Sequence, residues 1–307
     1  MSKTEVALVV DGNHLAYRNF WTLQRFTTRA GMHSGAFFGS VRTVRALIKK
    51  FNPAILIIVF DGKPKKQLAL HKDYKRPRRD KKHHHVKQQL YRQLADLRGA
   101  FKHLGVFAIR HAQKEADPTV ALLADYLSKK YRTFIVSSDS DYYQCLTEQI
   151  AIYDAIKDKI ITVSSVLEAT GLKTLHQVLM LKVLMGDKSD NIPSVKPRVG
   201  KVTATNLLLG PKSEWKAFKK EYAKEIAFNL ALIRLPLAGE TLPDRIFAKL
   251  MENPLLVKRK KFEKYLHKYE LYSLLQDLKK WIKPYKQLCR LHRKANITGE
   301  ALGRAGD

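Results

Sequence analysis

Short apolar runs separated by helical patterns organise the first half of the chain. Each run is four to six residues long and rich in Val, Ile, Leu or Phe, which predicts a buried strand. The four runs are residues 6–10 (VALVV), 55–60 (ILIIVF), 106–109 (VFAI) and 133–138 (TFIVSS). Because these strands alternate with helical patterns, the sequence predicts an α/β fold built on a parallel sheet.

An acidic residue follows each predicted strand. Asp11, Asp61 and Asp139 come directly after three of the runs, and Glu115 lies a short loop beyond the fourth. The carboxyl ends of parallel strands meet at one edge of the sheet, where α/β proteins bind their ligands. We therefore expect these four carboxylates to lie close together.

Acidic residues also recur in closely spaced pairs. The pairs are Glu115 with Asp117, Asp139 with Asp141, and Asp187 with Asp190. Each pair has an ordinary structural interpretation, as a helix cap or a turn. Asp117, for example, is expected to be an N-cap with Pro118 at the first helical position. Their joint placement at strand ends favours a shared site instead.

The overall charge indicates what such a site would do. The chain has 57 Lys and Arg against 28 Asp and Glu, so its net charge is 57 − 28 = +29. A charge this large is self-repulsive unless a polyanion uses it, which favours nucleic acid ahead of an anionic membrane surface. The gathered carboxylates call for hard divalent cations, Mg²⁺ with Mn²⁺ as a substitute. Two or more such ions can clamp a phosphodiester and activate water, which suggests a metal-dependent nuclease.

Three regions are predicted along the chain. Residues 1–165 are expected to form the α/β core, residues 166–290 a helical region, and residues 291–307 a disordered tail. Residues 63–87 hold eleven Lys or Arg and only two acids, which is typical of a solvated basic loop or of a phosphate-binding segment. Cys145 and Cys289 form no metal or disulfide pattern, and no apolar run reaches the length of a spanning helix. A soluble cytoplasmic protein is therefore expected.

Six motifs resemble the flap endonuclease family, which includes the 5′→3′ exonuclease domain of bacterial DNA polymerase I and its phage relatives. They are VVDGNHLAYR, SGAFFGSVRTVRALIKKFNPAILIIVFDGK, DYKRPRR, EAD, SSDSDYYQ and MGDKSDNIPSV, in family order. The resemblance covers residues 5–235 and looks like a stand-alone bacterial or phage version. It implies a PIN-like sheet, a basic helical arch at about 63–104 and a helix–three-turn–helix at about 174–210 that grips duplex DNA.

The resemblance also implies roles for individual residues. Its metal ligands carry over to Asp11, Asp61, Glu115, Asp117, Asp139, Asp141, Asp187 and Asp190. Lys75 and Arg78 match arch residues that approach the scissile phosphate and stabilise its developing charge. Nucleic-acid contacts are implied at Tyr17, where a terminal base would stack, and at Arg18, Lys63, Gly200 and Lys201, where phosphates would bind.

Two positions depart from the family pattern. Bacterial members usually have a second aspartate where this chain has Pro118, so its loss is expected to shift metal affinity without abolishing activity. The segment SVKPRVG replaces a glycine-rich hairpin that is one residue shorter in relatives, and only Gly200 survives. Hairpin carbonyls bind K⁺ in relatives, and this replacement puts K⁺ binding here in doubt.

We therefore predict a Mg²⁺-dependent, monomeric 5′-nuclease that acts on DNA with a 5′ flap or a 5′ end beside duplex. Replication, repair or RNA primer removal is the implied role. Three alternatives remain open: a non-catalytic or weakly active DNA-binding homologue, a 5′-exonuclease that prefers RNA–DNA hybrids, and a ribonuclease on a related PIN-like fold. Cleavage in Mg²⁺ distinguishes the first, and substrate competition distinguishes the others.

Overall fold

A six-stranded sheet lies at the centre of the molecule. The structure, a computed structural model, describes residues 5–75, 84–235 and 255–294, without the side chains of 84–87 and 294. The strand order is β3-β2-β1-β4-β5-β6, with β1 to β5 parallel and β6 antiparallel to β5. The strands are β1 Val6–Asp11, β2 Ile55–Phe60, β3 Phe107–Arg110, β4 Arg132–Val136, β5 Ile150–Asp154 and β6 Lys159–Ile161. The predicted α/β fold with a parallel sheet is confirmed.

All four predicted strands are present in the sheet. The fourth ends at Val136 rather than residue 138, because the Ser137 hydroxyl accepts the Asp139 N–H and turns the chain out of the sheet. β5 and β6 are additional strands on the far side of β4. β2 is buried along its whole length, as its continuous apolar run predicts.

Helices cover both faces of the sheet. One face carries α1 Gly12–Thr22, α2 Gly35–Phe51 and α4 His84–His103, and the other carries α5 Ala116–Ser128, the 3-10 helix Ser140–Cys145 and α6 Val163–Thr170. The short α3 Lys65–Leu70 precedes α4. Cys145 is buried beneath α5, as expected of a core residue.

A separate apolar cluster holds the helical region that follows. It contains side chains from α7 Leu175–Met185, α8 Lys201–Leu209, α9 Lys212–Glu221 and α10 Ala223–Ile233. The predicted helix–three-turn–helix at about 174–210 corresponds to α7, the segment 186–200 and α8. Tyr74, from the basic segment, also packs in this cluster and so ties that segment to the helical region.

The last four described helices pack on the sheet layer. They are α11 Arg259–Lys268, α12 Tyr272–Gln276, α13 Leu278–Trp281 and α14 Lys283–Lys294, and their apolar side chains join those of α2 and α4. These helices therefore share one core with segments of the first predicted region, and the boundary at residue 165 stays a prediction. α14 also reaches four residues into the predicted tail, and residues 295–307 lie outside the described residues.

His292 fixes α14 to the sheet. Its Nε2 accepts the Leu56 N–H at 3.1 Å, and its ring stacks on Phe107 with centroids 5.2 Å apart. Burial lowers the pKa of His292 to about 3, so the ring stays neutral and can accept this bond. Among the described residues, no helix is long and apolar enough to cross a lipid bilayer.

Candidate active site

The sheet brings the predicted strand-end acids together. Asp11 ends β1, Asp61 follows β2, and Asp139 follows β4. Asp11 is 5% exposed, and its Oδ1 accepts the His14 N–H at 2.9 Å, which caps α1. Burial and then the charges of Asp61 and Asp139 raise the pKa of Asp11 to about 7. The three carboxylates therefore interact electrostatically at one sheet edge.

The start of α5 adds two more acids. Glu115 is the N-cap and Asp117 lies in the first turn, so the predicted N-cap at Asp117 is wrong by two residues. Pro118 still fits, because the first four helical N–H groups have no partner within the helix. The Ala116 N–H donates to Asp61 Oδ1 at 2.7 Å and ties this turn to β2. Burial, Asp11 and Asp61 raise the pKa of Asp117 well above its ordinary value.

Lys182 links a second group of carboxylates. Asp139 caps the 3-10 helix by accepting the Asp141 N–H at 3.0 Å. It is therefore both a helix cap and an acid of the site. The Lys182 ammonium, on α7, pairs with Asp141 and lies 3.2 Å from Asp187 Oδ2. Burial and the Asp139 charge raise the pKa of Asp141 to about 6, against the opposing effect of Lys182.

Tyr74 and Lys75 join the remaining two acids. The Tyr74 hydroxyl is 3.0 Å from both Glu115 Oε2 and Asp190 Oδ2. Lys75 Nζ is 2.5 Å from Glu115 Oε1 and 3.7 Å from Asp190 Oδ2. The base of the predicted arch thus connects the sheet edge to the helical region.

A second buried tyrosine contacts the first group of acids. The Tyr142 hydroxyl is 2.5 Å from Asp117 Oδ1 and 3.2 Å from Asp11 Oδ2, and the side chain is fully buried. Tyr142, Tyr74 and Lys182 were not singled out from the sequence. Only their position inside or beside the acidic motifs could have drawn attention to them.

The donor set fits hard divalent cations by its chemistry, because it consists of carboxylate oxygens whose mutual repulsion a cation would relieve. In the part of the chain that the structure describes, however, no three His, Cys, Asp or Glu side chains form a group that could hold a metal ion as arranged. Lysine ammonium groups pair with these oxygens instead. Metal binding would therefore require the side chains to rearrange.

A cavity of about 390 Å³ opens beside the acids. Arg234, at the end of α10, lines it and is exposed to solvent. Gln144 holds the backbone on both sides of Arg234: its Nε2 donates to the Ile233 carbonyl at 3.3 Å, and its Oε1 accepts the Leu235 N–H at 2.9 Å. Arg234 was not predicted as a site residue, because its position depends on how α10 packs.

The other predicted nucleic-acid contacts are spread over the surface. Tyr17 is 48% exposed on α1, with Trp21 beside it at 6.0 Å between ring centroids, and Arg18 is half-buried on the same helix. Lys63 is exposed after β2. Arg78 lies outside the described residues.

The segment 186–200 leads into α8. Gly200 is the N-cap of α8 without a side-chain cap, and Lys201 is exposed in the first turn. Gly186 takes φ 70, and a Cβ there would lie 2.3 Å from the Pro193 carbonyl oxygen. Arg198 takes φ 65, a left-handed conformation that costs a side-chain-bearing residue about 1–2 kcal/mol. The segment SVKPRVG therefore contains a left-handed residue that is not a glycine.

These features define a class of α/β protein in which a parallel sheet gathers carboxylates at its carboxyl edge. A cavity lined in part by lysine and arginine side chains lies next to them. The pattern of the 5'-3' exonuclease, N-terminal resolvase-like domain matches residues 6–171. This is more than half of the 307 residues, and the chain belongs to the 5'-3' exonuclease family. The predicted family resemblance is confirmed.

Relatives include stand-alone and polymerase-linked proteins. A 5'-3' exonuclease of Aquifex aeolicus is 28% identical over 289 residues, which cover 89% of this chain and 94% of the relative. A thermostable DNA polymerase I of Thermus thermophilus is 34% identical over 203 residues, 66% of this chain and 23% of the polymerase. The bacteriophage T5 flap endonuclease, solved as a pseudo-enzyme-product complex with DNA and metal ions, is 19% identical. The superposition covers 87% of this chain and 100% of the phage protein at a TM-score of 0.59, which shows that the two share a fold.

Proposed function

We propose that this protein is a divalent-metal-dependent 5′-nuclease that hydrolyses phosphodiesters at 5′ flaps or 5′ ends of DNA. One observation carries the proposal: an acidic centre at the sheet edge of a chain whose net charge is +29. The basic surface attracts the polyanion, and the acidic centre supplies the cation site. Family membership and the relatives named 5'-3' exonuclease support the same activity.

Each group of residues has a proposed part in the reaction. The carboxylates of Asp11, Asp61, Glu115, Asp117, Asp139, Asp141, Asp187 and Asp190 would hold Mg²⁺, for which Mn²⁺ would substitute. The chemistry that these ions supply is activation of water and neutralisation of the leaving oxygen. Lys75 and Arg78 would bind the scissile phosphate, and Lys75 contacts Glu115 of the cavity lining. Arg234, which lines the same cavity, would bind a neighbouring phosphate.

The remaining surface would position the DNA. Duplex would bind along the first turn of α8, where Gly200 leaves the helix N–H groups without a side-chain cap. Tyr17 would stack on a terminal base, and Arg18 and Lys63 would bind phosphates. The arch is proposed at about 63–104, with Leu97 and Phe101 of α4 packed in the core. The protein would act as a monomer in the cytoplasm.

Cleavage of a 5′-labelled flap duplex tests the proposal. We expect cutting near the junction in Mg²⁺, none in EDTA, and none in a variant that combines Asp139→Ala with Asp141→Ala. A matched control combines Asp158→Ala with Asp277→Ala, which changes the charge equally at two exposed acids. Tight binding without cutting by the wild type in Mg²⁺ or Mn²⁺ would support a DNA-binding homologue instead. Competition between flap DNA and an RNA–DNA hybrid would rank the substrates.

A further inference from the structure

A fully buried phenol stands between two carboxylates of the acidic centre. Tyr142 lies in the 3-10 helix directly after Asp141, and its ring packs against the α5 side of the core. Its hydroxyl reaches Asp117 on α5 and Asp11 at the end of β1. One side chain therefore connects three segments that each carry an acid of the site.

We infer that Tyr142 is a positioning residue that orients the Asp11 and Asp117 carboxylates for a divalent cation. The inference rests on the proposed function, because it gives the hydroxyl a part in that metal centre. A hydrogen bond to one carboxylate oxygen fixes the direction in which the other oxygen points. Such partners of metal ligands raise metal affinity by holding the ligands in place before the ion arrives.

The Tyr142 hydroxyl contributes most to the orientation of the Asp117 carboxylate. The Oδ1 of Asp117 accepts the Tyr142 hydroxyl at 2.5 Å, a short hydrogen bond. Pro118, the next residue, has no N–H and no carboxylate to offer. Tyr142 therefore provides a neutral donor to Asp117, beside a residue that has no N–H.

Asp11 is held from two directions. Its Oδ1 accepts the His14 N–H at 2.9 Å, and its Oδ2 lies 3.2 Å from the Tyr142 hydroxyl. A phenol has one proton, so the shorter contact to Asp117 takes it and Asp11 is the weaker partner. The main loss on removing the hydroxyl is therefore expected at Asp117.

Neutrality distinguishes Tyr142 from the lysines of the site. Lys75 and Lys182 bring positive charge to the carboxylates and would compete with a metal ion for them. The phenol orients its carboxylates without adding charge, so it can stay in place when an ion binds. This is the behaviour required of a group that prepares a metal site.

Tyr142→Phe tests the inference, because it keeps the ring and removes only the hydroxyl. We expect calorimetric titration with Mn²⁺ to give a Kd weaker by about tenfold, the lower end of the range for lost partners of metal ligands. The Mg²⁺ concentration for half-maximal cleavage should rise in proportion, while kcat at saturating Mg²⁺ is retained. Tyr143→Phe, at the neighbouring half-buried tyrosine of the same 3-10 helix, is the matched control and should keep the wild-type Kd.

A double-mutant cycle separates orientation from general packing. In an Asp117→Asn background, Tyr142→Phe should weaken the Mn²⁺ affinity by much less than in the wild type, because the hydroxyl acts through that carboxylate. Tyr142→Met, which also lacks the hydroxyl, should reproduce the weaker Kd if the Phe variant does not fold. Melting curves without metal confirm folding.

Two results would overturn the inference. An unchanged or tighter Mn²⁺ Kd in Tyr142→Phe, with only a lower metal-free melting temperature, would show that the hydroxyl merely satisfies core packing. Equal effects in the wild-type and Asp117→Asn backgrounds would exclude action through Asp117. Failure of the wild-type protein itself to bind Mn²⁺ would instead remove the metal centre, and the inference with it.

Discussion

The Lys75 ammonium lies 2.5 Å from a carboxylate oxygen of Glu115. Both were expected at the reaction centre, one as a phosphate contact and the other as a metal ligand, and the structure pairs them with each other. The Lys75 N–H also donates to the Asp190 carbonyl at 2.9 Å, with Lys75 in the left-handed region at φ 56. A Lys75 ammonium that moved to a phosphate would release Glu115, which would then become available to a cation.

Lys75→Ala should separate these two effects. We expect kcat for flap cleavage to fall by about 10²–10³, the usual loss for one group that stabilises developing charge. The Mn²⁺ Kd should not weaken, because a competing cation has been removed from Glu115. Lys50→Ala, at an exposed ion pair, is the control. A weaker Mn²⁺ Kd with unchanged kcat would contradict the exchange.

Stability without metal should fall as pH rises from about 4 to 7. Burial and neighbouring acids raise the pKa of Asp11 from 3.8 to about 7 in the folded state. Between these values the folded state keeps a proton that the unfolded state has lost, so rising pH favours unfolding. Below pH 3.8 Asp11 is protonated in both states, and above about pH 7 it is ionised in both. The contribution of Asp11 to stability therefore stops changing outside this window.

Asp11→Asn should flatten this decline. Melting temperatures measured in EDTA at several pH values would show it, with Asp158→Asn, an exposed acid, as the control. Saturating Mn²⁺ should reverse the trend in the wild type, because the cation binds the ionised carboxylates. A parallel pH dependence in the Asp11→Asn variant would show that Asp11 does not titrate in this range.

Arg234→Ala should weaken DNA binding more than it lowers kcat. Arg234 lines the cavity and its backbone is held by Gln144, so its loss removes one phosphate contact. We expect a higher KM and a salt dependence of binding that is shallower by about one phosphate. Arg132→Ala is the control, because Arg132 is the first residue of β4 and lies at the opposite end of the strand from Asp139. Identical salt slopes in the wild type and Arg234→Ala would exclude the contact.

Pro118→Asp should strengthen metal binding. Pro118 lines the cavity beside Asp117, so a carboxylate there would add an oxygen ligand and a negative charge. The Mg²⁺ concentration for half-maximal cleavage should fall, while Pro118→Asn, of similar size and without charge, should leave it near the wild-type value. An equal shift in both variants would assign the effect to the lost ring rather than to the charge.

Much of the sheet and its acidic edge could be predicted from the chain. Continuous apolar runs identify β1, β2, β3 and β4, and the acid after each run is placed by the geometry of parallel strands alone. Asp139 also shows that a helix cap and a site acid need not be alternatives. Its Oδ1 caps the 3-10 helix while its charge acts on Asp11.

The contacts between distant segments could not be predicted in this way. Tyr142 follows an acid by one position, yet its hydroxyl meets Asp117 25 residues away, and Tyr74 meets Asp190 116 residues away. Hydrophobic periodicity predicts that such a side chain is buried, but it does not predict which polar atom the hydroxyl contacts. The same limit applies to the helices after residue 255, whose packing against α2 and α4 has no signal in their own periodicity.

The bond between His292 and Leu56 has a consequence for when the protein becomes active. Leu56 lies in the strand that leads to Asp61, yet its partner is 236 residues further along the chain. During synthesis the ribosome must therefore deliver nearly all of the described chain before this strand acquires its last packing layer. A nascent chain would lack this layer until α14 emerges from the ribosome, so the strand that leads to Asp61 would be among the last parts of the sheet to be covered.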